Sequence, residues 1–326
     1  MVTNKEWVRS TVEKRIDQIY GMRNPSPQDV DDMVEKAFST SPVVNLLGHK
    51  ELDSLFGCFQ GKEQLKAHYR SFYSRIEVVA LNRQFIVVDG FGASAHFLAE
   101  FRFRESGSVY DFEIIALTEL DGEGRVRDIK LHYDTSTFLK AVRTPNSRFR
   151  DVRGIMPHPS FDPTVDLKAS DVAANLYNTF LGIYRGEAGW DKLWALFDED
   201  VEVVFKSNVD VIPYAGQYSG MPGLKKWFDN LLSIWSLATF NFTKTYSEGN
   251  RADFAMDEQH YYTNPDGSRR YLSVYLVQSW GISPNGKIHL FQSHHDSGWM
   301  DNTFHASQVY KDYYGYPPDY PPKKKG

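Results

Sequence analysis

The sequence predicts an α+β fold made of two tandem cone-shaped units, each with three helices packed on a curved antiparallel sheet. Three observations predict it. The chain has 326 residues and is 41% hydrophobic, which is enough to bury two separate cores. The segment "FGCFQGKEQLKAHYRSFY" from residue 56 has a counterpart, "AGQYSGMPGLKKWFDNLL", from residue 215. Each half also begins with helical periodicity and continues with long strand-like segments.

The first half contains three segments with helical spacing, and most of its strand-like segments follow them. Its predicted helices lie near 5–20, 28–39 and 62–76, and its predicted strands near 43–47, 77–88, 93–104, 109–119 and 125–134. A sheet with this meander order has to curl in order to cover the helices, and we expect a cone-shaped pocket between the two layers.

The second half repeats this order. Ser170 can cap a helix that runs to about residue 185, with Leu176, Phe180 and Tyr184 on one face. A short helix, "WDKLWALF", precedes the strand "VEVVF", and a third helix, "LKKWFDNLLSIW", follows the glycine turn. Four long strands then complete the unit, with "NPDG" and "SPNG" as hairpin turns. They are "TFNFTKTYSE", "RADFAMDEQHYYT", "RRYLSVYLVQSWG" and "KIHLFQSHH".

The two halves match at two different offsets. Gly57 matches Gly216 at an offset of 159 positions, whereas His132 matches His294 at an offset of 162. The apolar residues of the last strand favour 159, because Ile129 then matches Ile288. A difference in hairpin length or a β-bulge would each reconcile the offsets, and the sequence leaves both open.

The predicted domain boundaries follow from composition. Residues 1–142 form the first unit and residues 169–305 the second. Between them, 143–168 is rich in proline and arginine and lacks periodicity, which is typical of a linker. The tail, 306–326, is rich in tyrosine and proline, and we expect it to be extended or disordered.

Composition narrows the classes of function. The net charge of −5 gives no electrostatic basis for binding nucleic acid. The single cysteine, Cys58, rules out an internal disulfide and a multi-cysteine metal site. No apolar run approaches the ~20 residues that a membrane helix needs, and the start of the chain does not read as a signal peptide, so we expect a cytoplasmic protein. Aromatic residues make up 15% of the chain, which favours an aromatic-walled cavity.

The second half resembles a known superfamily. The segments "LWALFDEDVEVVF", "PYAGQYSGMPGLKKWF" and "GKIHLFQSHHD" resemble the nuclear transport factor 2-like superfamily, and within it the SnoaL-like and ketosteroid-isomerase-like branch. The resemblance covers nearly all of 168–303 and, less sharply, 20–140. It implies a cone fold that binds a small apolar molecule. Because members pair through their open sheets, it also implies an intramolecular pseudo-dimer, whose monomeric or homodimeric state is open.

Three residues are the predicted catalytic set: His260, His294 and Asp296. His294 and Asp296 share a strand face, because alternate strand residues point the same way. The resemblance places His260 at the pocket histidine of SnoaL-like proteins, while the aspartate base of the steroid isomerases is replaced by Phe205 or Lys206. A His–Asp arrangement transfers protons near neutral pH. The alternatives are a solvated strand end and a metal site, and we expect no metal because the spacing matches no known ligand motif.

Further residues are assigned to two pockets. Four aromatic residues of the second half could bind substrate or simply pack in the core: Tyr177, Tyr214, Tyr218 and Trp280. In the first half, Glu100 is matched with His260, and we expect a degenerate copy of the site there. That second candidate pocket consists of Glu100, Glu113, His132 and Asp134.

Taken together, these patterns predict an acid–base enzyme without cofactors. It would act on a small apolar or polycyclic metabolite as an isomerase, cyclase or dehydratase, in biosynthesis. The alternative is a non-catalytic protein that binds a small ligand or serves in assembly. The same fold hosts both classes, so the fold by itself does not choose between them.

Overall fold

The structure is a computed structural model that describes residues 4–48, 53–150, 161–165, 169–206, 212, 214–263, 269–295 and 297. The chain divides into two compact units. Unit 1 comprises 1–151 together with 296–326, and unit 2 comprises 152–295. Among the described helices, none combines the length and the hydrophobicity that crossing a membrane requires.

Unit 1 packs three helices and a short fourth one against one mixed sheet. Its helices are α1 (Lys5–Tyr20), α2 (Pro27–Ala37), α3 (Gly61–Arg75) and α4 (Thr135–Arg143). Its strands are β1 (Phe38–Leu46), β2 (Gly57–Gln60), β3 (Ile76–Asp89), β4 (Gly92–Phe103), β5 (Val109–Leu120), β6 (Val126–His132) and β7 (Arg148–Arg150). The strand order is β2-β1-β6-β5-β4-β3, and β7 pairs with β5. The predicted linker therefore contributes a strand to unit 1.

Unit 2 has the same plan. Its helices are α5 (Ala169–Tyr184), α6 (Trp190–Trp194) and α7 (Gly220–Ile234). Its strands are β8 (Phe197–Lys206), β9 (Gly216–Ser219), β10 (Trp235–Glu248), β11 (Arg251–Thr263), β12 (Arg269–Ile282) and β13 (Ile288–His295). The order β10-β11-β12-β13-β8-β9 is that of unit 1 read in the opposite direction. The predicted α+β class and the tandem duplication are confirmed.

The sheets are mixed, whereas the sequence predicted antiparallel ones. The first long strand of each unit lies parallel to the last one, β1 beside β6 and β8 beside β13. The other pairs within the order are antiparallel, as hairpins require. A parallel pair arises because the helix α3 or α7 and the whole meander separate its two strands in sequence. Sequence periodicity does not record which strand becomes the neighbour.

Paired glycines explain the repeat that revealed the duplication. Gly57 and Gly61 have φ angles of 106° and 76°, and Gly216 and Gly220 have 117° and 66°. Side chains rarely adopt this left-handed region, so glycine is favoured at both ends of the short strand. The following residues then enter α3 or α7 directly. The predicted match between the two turns is thus a match in backbone geometry.

Hairpin length accounts for the two offsets. Ile76 pairs with Phe103 and Trp235 with Tyr262, so these strands are related by 159 positions. Ile115 pairs with His132 and Val277 with His294, which gives 162. The change occurs between β4 and β5, where residues 104–108 correspond to the longer 263–270 of unit 2. The match of His132 with His294 is therefore structural.

A β-bulge lies at the same place in both last strands. In unit 2 Gly281 pairs with Leu290 and Ile282 with Ile288, so His289 is an extra residue between the two pairs. Unit 1 has the same irregularity at Arg127, between the pairs formed by Asp128 and Val126. One extra residue reverses the alternation of faces beyond it. Ile288 therefore corresponds to Val126, and its predicted match with Ile129 is wrong.

A buried histidine in α3 makes the stability of unit 1 dependent on pH. The ring of His68 lies 4.1 Å from that of Phe59, and burial lowers the pKa of His68 from 6.5 to about 4. Folding therefore keeps this imidazole neutral, whereas the unfolded chain protonates it below about pH 6.5. The part of the unfolding free energy that depends on a neutral His68 is fully present above about pH 6.5 and is lost as the pH falls towards 4.

We expect the wild-type chain to lose about 2 kcal/mol of unfolding free energy through His68 between pH 8 and pH 5. His68→Leu removes the titrating group, so this part of the pH dependence should vanish from the variant. Urea unfolding of both proteins at the two pH values measures the difference. Parallel pH profiles for the two proteins would contradict the assignment.

Candidate functional site

Unit 2 contains a cavity between its helices and the concave face of its sheet. The cavity holds about 700 Å³ of space, its open mouth included. Aromatic side chains from two helices form much of its wall. They are Tyr177, Phe180 and Tyr184 from α5, and Trp227 and Phe228 from α7. Such a wall favours an apolar ligand of the size that protein pockets commonly enclose.

Polar groups on the cavity lining come from three neighbouring strands. β11 supplies Glu258 and His260, β12 supplies Gln278, and β13 supplies Ser293 and His295. The two residues of β11 are alternate residues, and so are the two of β13. Each pair therefore shares the strand face that points towards the helices. The combination of an apolar wall and a few convergent polar groups is typical of ligand sites.

The closest contact among these groups joins Glu258 and His260. Oε2 of Glu258 lies 2.8 Å from Nε2 of His260, and both side chains are largely buried, with 13% and 14% of their surface exposed. An ionised carboxylate can only accept, so Nε2 of His260 donates this hydrogen bond. The carboxylate therefore fixes the tautomer and the orientation of the imidazole. We call Glu258 and His260 the dyad.

A second network lies deeper in the cavity. The hydroxyl of Tyr177 donates to Oε1 of Gln278 at 2.6 Å, and Nε1 of Trp280 donates to the same atom at 3.2 Å. Burial raises the pKa of Tyr177 well above its usual value, and the charge of Glu258 raises it further. The phenol therefore stays neutral and remains a donor at physiological pH. This network holds the Gln278 side chain in one position.

His295 occupies the other flank of the cavity. Its ring stacks on Phe205 at 4.0 Å, and its Nδ1 lies 3.4 Å from Oγ of Ser293. Phe205 itself lines the cavity. Of the two residues that the sequence offered for the place of the steroid-isomerase base, the structure puts Phe205 inside, where it cannot exchange protons.

The predicted convergence of His260, His294 and Asp296 is not what the structure shows. His260 lines the cavity, but His294 lies on the opposite face of β13, where its Nε2 is 2.7 Å from Nε2 of Gln292. His295 takes the place expected for His294 because the bulge at His289 reverses the faces of the strand. Asp296 lies outside the described residues.

Of the four predicted substrate-binding aromatic residues, Tyr177 lines the cavity. Trp280 is fully buried and donates a hydrogen bond to Gln278. Tyr214 is also buried and packs edge-on against Phe205, and Tyr218 lies on the short strand β9. Neither of these two tyrosines belongs to the cavity lining.

The equivalent positions of unit 1 are apolar or aromatic. Strand register equates His260 with Phe101, because Leu237 pairs with the first as Val78 pairs with the second. Glu100, the predicted match of His260, instead corresponds to Gln259. Five positions of the cavity lining can be compared in this way. They are Glu258/Ala99, His260/Phe101, Gln278/Ala116, Ser293/Leu131 and His295/Tyr133.

Three of these replacements are larger than their counterparts and fill space in the interior of unit 1. Phe101, Leu131 and Tyr133 line a remnant of about 300 Å³, and Ala116 lines another of about 230 Å³. Both remnants are smaller than the cavity of unit 2 and lack histidine and carboxylate side chains. The described part of unit 1 thus has a packed core where unit 2 has a polar-edged cavity.

The second candidate pocket predicted in unit 1 does not form. Glu100, Glu113 and His132 point away from the helices, because the inward residues of their strands are the alternate ones. Glu100 pairs with Arg148 at 2.7 Å, and Glu113 lies 3.4 Å from Nδ1 of His96.

Asp134 caps α4 and accepts hydrogen bonds from the backbone N–H groups of Ser136 and Thr137 at 3.1 and 3.2 Å. This capping role accounts for the aspartate that follows the strand in unit 1.

Sequence reasoning missed Glu258, Gln278, Ser293 and His295. A signal for Glu258 was present, because it stands two positions before His260 on the same strand face. His295 had no such signal, since its face depends on the bulge. No cluster of three His, Cys, Asp or Glu side chains arranged to hold a metal ion occurs among the described residues.

No protein-family model matches the sequence, and no curated protein matches it. Solved structures do match. A putative isomerase from Bacillus subtilis is 14% identical and covers 43% of this chain and 95% of its own, with a TM-score of 0.36. A putative SnoaL-like polyketide cyclase from Jannaschia sp. CCS1 is 14% identical and covers 44% of this chain and 99% of its own, with a TM-score of 0.35.

An NTF2-like protein of unknown function from Burkholderia pseudomallei is 15% identical. It covers 41% of this chain and 95% of its own, with a TM-score of 0.34. At such identities and TM-scores, these likenesses carry no argument about chemistry. The strand order defines the fold, and the cavity lining defines which chemistry is possible.

Tyr177→Phe tests whether the buried network is formed. Removing the hydroxyl deletes the hydrogen bond to Gln278 in a buried place, so we expect a loss of about 1 kcal/mol in unfolding free energy. Tyr184→Phe is the matched control, because Tyr184 is 46% exposed at the same helix and should change stability by less than about 0.5 kcal/mol. Urea unfolding measures both, and equal effects would argue against the network.

Proposed function

We propose that unit 2 is an acid–base enzyme that moves a proton on a small, largely apolar carbonyl-type metabolite. The observation that carries the proposal is the dyad, a carboxylate and an imidazole 2.8 Å apart at the edge of an aromatic cavity. Imidazole exchanges protons near neutral pH, and a carboxylate that orients it is a recurrent partner in proton transfer. The reaction class is isomerisation, cyclisation or dehydration.

In the proposed step the dyad removes a proton from a carbon next to the carbonyl group. The C–H bond breaks and its proton passes to the dyad. The C–H electron pair forms the new C=C bond, and the π pair of the carbonyl group moves onto the oxygen, which gives an enolate. Where a further C=C bond of the ligand is conjugated with the enolate, returning the proton at the far carbon of that system isomerises the ligand. No net oxidation occurs, so the step needs no redox cofactor.

His295 supports the proposal as a second group that can carry a proton. It lies on β13, with β12 between it and the dyad strand, so the two groups face the ligand space from different sides. A base and an acid on opposite flanks suit reactions that take a proton from one atom and give it to another. The replacement of both histidines in unit 1, by Phe101 and Tyr133, accords with confining the chemistry to unit 2.

The alternative is a non-catalytic binding site. The aromatic wall favours it, because such a surface would bind an apolar molecule whether or not a proton moves. The two functions differ in what removal of the carboxylate does. Binding by apolar contact should survive it, whereas proton transfer should not.

The test uses 1-tetralone, a bicyclic ketone whose C2 protons exchange slowly in neutral water. We expect the wild-type chain in D₂O to accelerate deuterium incorporation at C2, followed by NMR. Glu258→Gln keeps the shape and an acceptor for His260 but removes the basic charge. It should slow the protein-dependent exchange by about a hundredfold, the lower range for general acid–base groups.

Asp257→Asn is the matched control, since Asp257 is the neighbouring residue on the other face of β11 and lies outside the cavity lining. Its exchange rate should stay within about twofold of the wild type. Binding of 1-tetralone with no acceleration by the wild-type protein would favour the binding alternative. An equal loss in both variants would remove the dyad from the mechanism.

A further inference from the structure

The neighbours of Gln278 determine which terminal atom of its side-chain amide is the oxygen and which is the nitrogen. Nε1 of Trp280 lies 3.2 Å from one terminal atom of the amide, and the hydroxyl of Tyr177 lies 2.6 Å from the same atom. An indole N–H can donate and cannot accept. The atom that it meets therefore has to be the amide oxygen. The assignment of oxygen and nitrogen thus follows from hydrogen-bond chemistry and not only from the atomic positions.

With its oxygen held in this way, the amide nitrogen of Gln278 has to point elsewhere. Gln278 lines the cavity, and within the described part of the chain its Nε2 donates no hydrogen bond to the protein. The strand register places Ser293 directly opposite Gln278, on the same inward face. Two donor groups, the NH₂ of the Gln278 amide and the hydroxyl of Ser293, therefore lie side by side at the deep end of the cavity.

We propose that the side-chain amide of Gln278 donates a hydrogen bond to a carbonyl oxygen of the ligand, so that the cavity selects apolar molecules bearing such an acceptor. This inference rests on the proposed function and names the group by which its substrate is held. A donor in a cavity with an apolar wall favours a ligand that supplies an acceptor, because an unpaired polar group there is costly. The same donor binds an enolate oxygen more strongly than a ketone oxygen.

The dyad and the amide lie at two ends of one surface. Gln278 pairs with Phe254, and Glu258 lies four residues further along the same strand as Phe254, which puts the two Cα atoms on the order of 14 Å apart. The long side chains of both residues reduce this separation inside the cavity. Tyr177 donates a hydrogen bond to Gln278, and the charge of Glu258 raises the pKa of the same tyrosine. The dyad and the amide therefore line one cavity.

The assignment gives the ligand a direction in the cavity. Its carbonyl oxygen lies deep, beside Gln278, which is 6% exposed. Its reacting carbon lies nearer the mouth, beside the dyad. Trp280 and Tyr177 act as positioning residues, because they hold the amide with its nitrogen towards the ligand.

The experiment measures affinity for two probes, 1-tetralone and tetralin, by quenching of tryptophan fluorescence. The probes differ in the carbonyl group, so the ratio of their dissociation constants isolates the acceptor from the apolar contacts. Gln278→Glu keeps an acceptor for Tyr177 and Trp280 but replaces the donor with a carboxylate. We expect the preference for 1-tetralone, relative to wild type, to fall about fivefold, the value of one hydrogen bond.

Three further variants complete the test. Gln278→Met lacks the donor without adding charge and should show the same fall. Trp280→Phe should lower the preference by a smaller factor, because the amide can then turn. Gln259→Glu makes the same change on β11 outside the cavity lining and should leave the preference unchanged.

An unchanged preference in both Gln278 variants would overturn the inference, and so would an equal fall in Gln259→Glu. Failure of wild-type protein to bind either probe would overturn it together with the cavity as a ligand site. The proposed function fails separately: a preference that depends on Gln278, without deuterium exchange that depends on Glu258, would keep the inference and exclude the enzyme.

Discussion

The bulge at His289 is the constraint on which the candidate site depends. It inserts one residue into β13 beside Gly281, and every side chain beyond it changes face. Phe291, Ser293 and His295 therefore reach the cavity, while His294 does not. The parallel pairing of β13 with β8 then brings Phe205 beside the inward histidine, and their rings stack. Without this extra residue the two faces of the strand end would be exchanged.

One scaffold carries two different interiors. The strand order, the glycine turns and the bulge are the same in both units, so the backbone alone does not create the cavity. Side-chain volume and polarity decide it. In unit 1 Phe101 and Tyr133 occupy the places of His260 and His295, and a close-packed core contributes dispersion and apolar burial where unit 2 has a cavity.

The cavity of unit 2 lacks part of the stabilisation by dispersion and apolar burial that a close-packed core provides. A space of about 700 Å³ leaves its lining without packing partners, and polar side chains within it need hydrogen bonds to offset their desolvation. The dyad and the Gln278 network supply such bonds from within the protein. Because each internal bond also fixes an orientation, the hydrogen bonds that limit the cost of burial also fix how these groups face the cavity.

The sequence by itself determined the duplication and the α+β class, because glycine turns and the 3.6 and 2.0 periodicities are local properties of a chain. The resemblance to SnoaL-like proteins, and not periodicity, pointed to His260. The sequence also contained the i, i+2 relation between Glu258 and His260. Only the tertiary structure decided that His295 and not His294 faces the cavity. The reason is that strand pairing decides which side chains face the cavity and which residues of the two units correspond. One bulged residue or a three-residue difference in hairpin length changes that pairing without changing the composition or the spacing of the motifs.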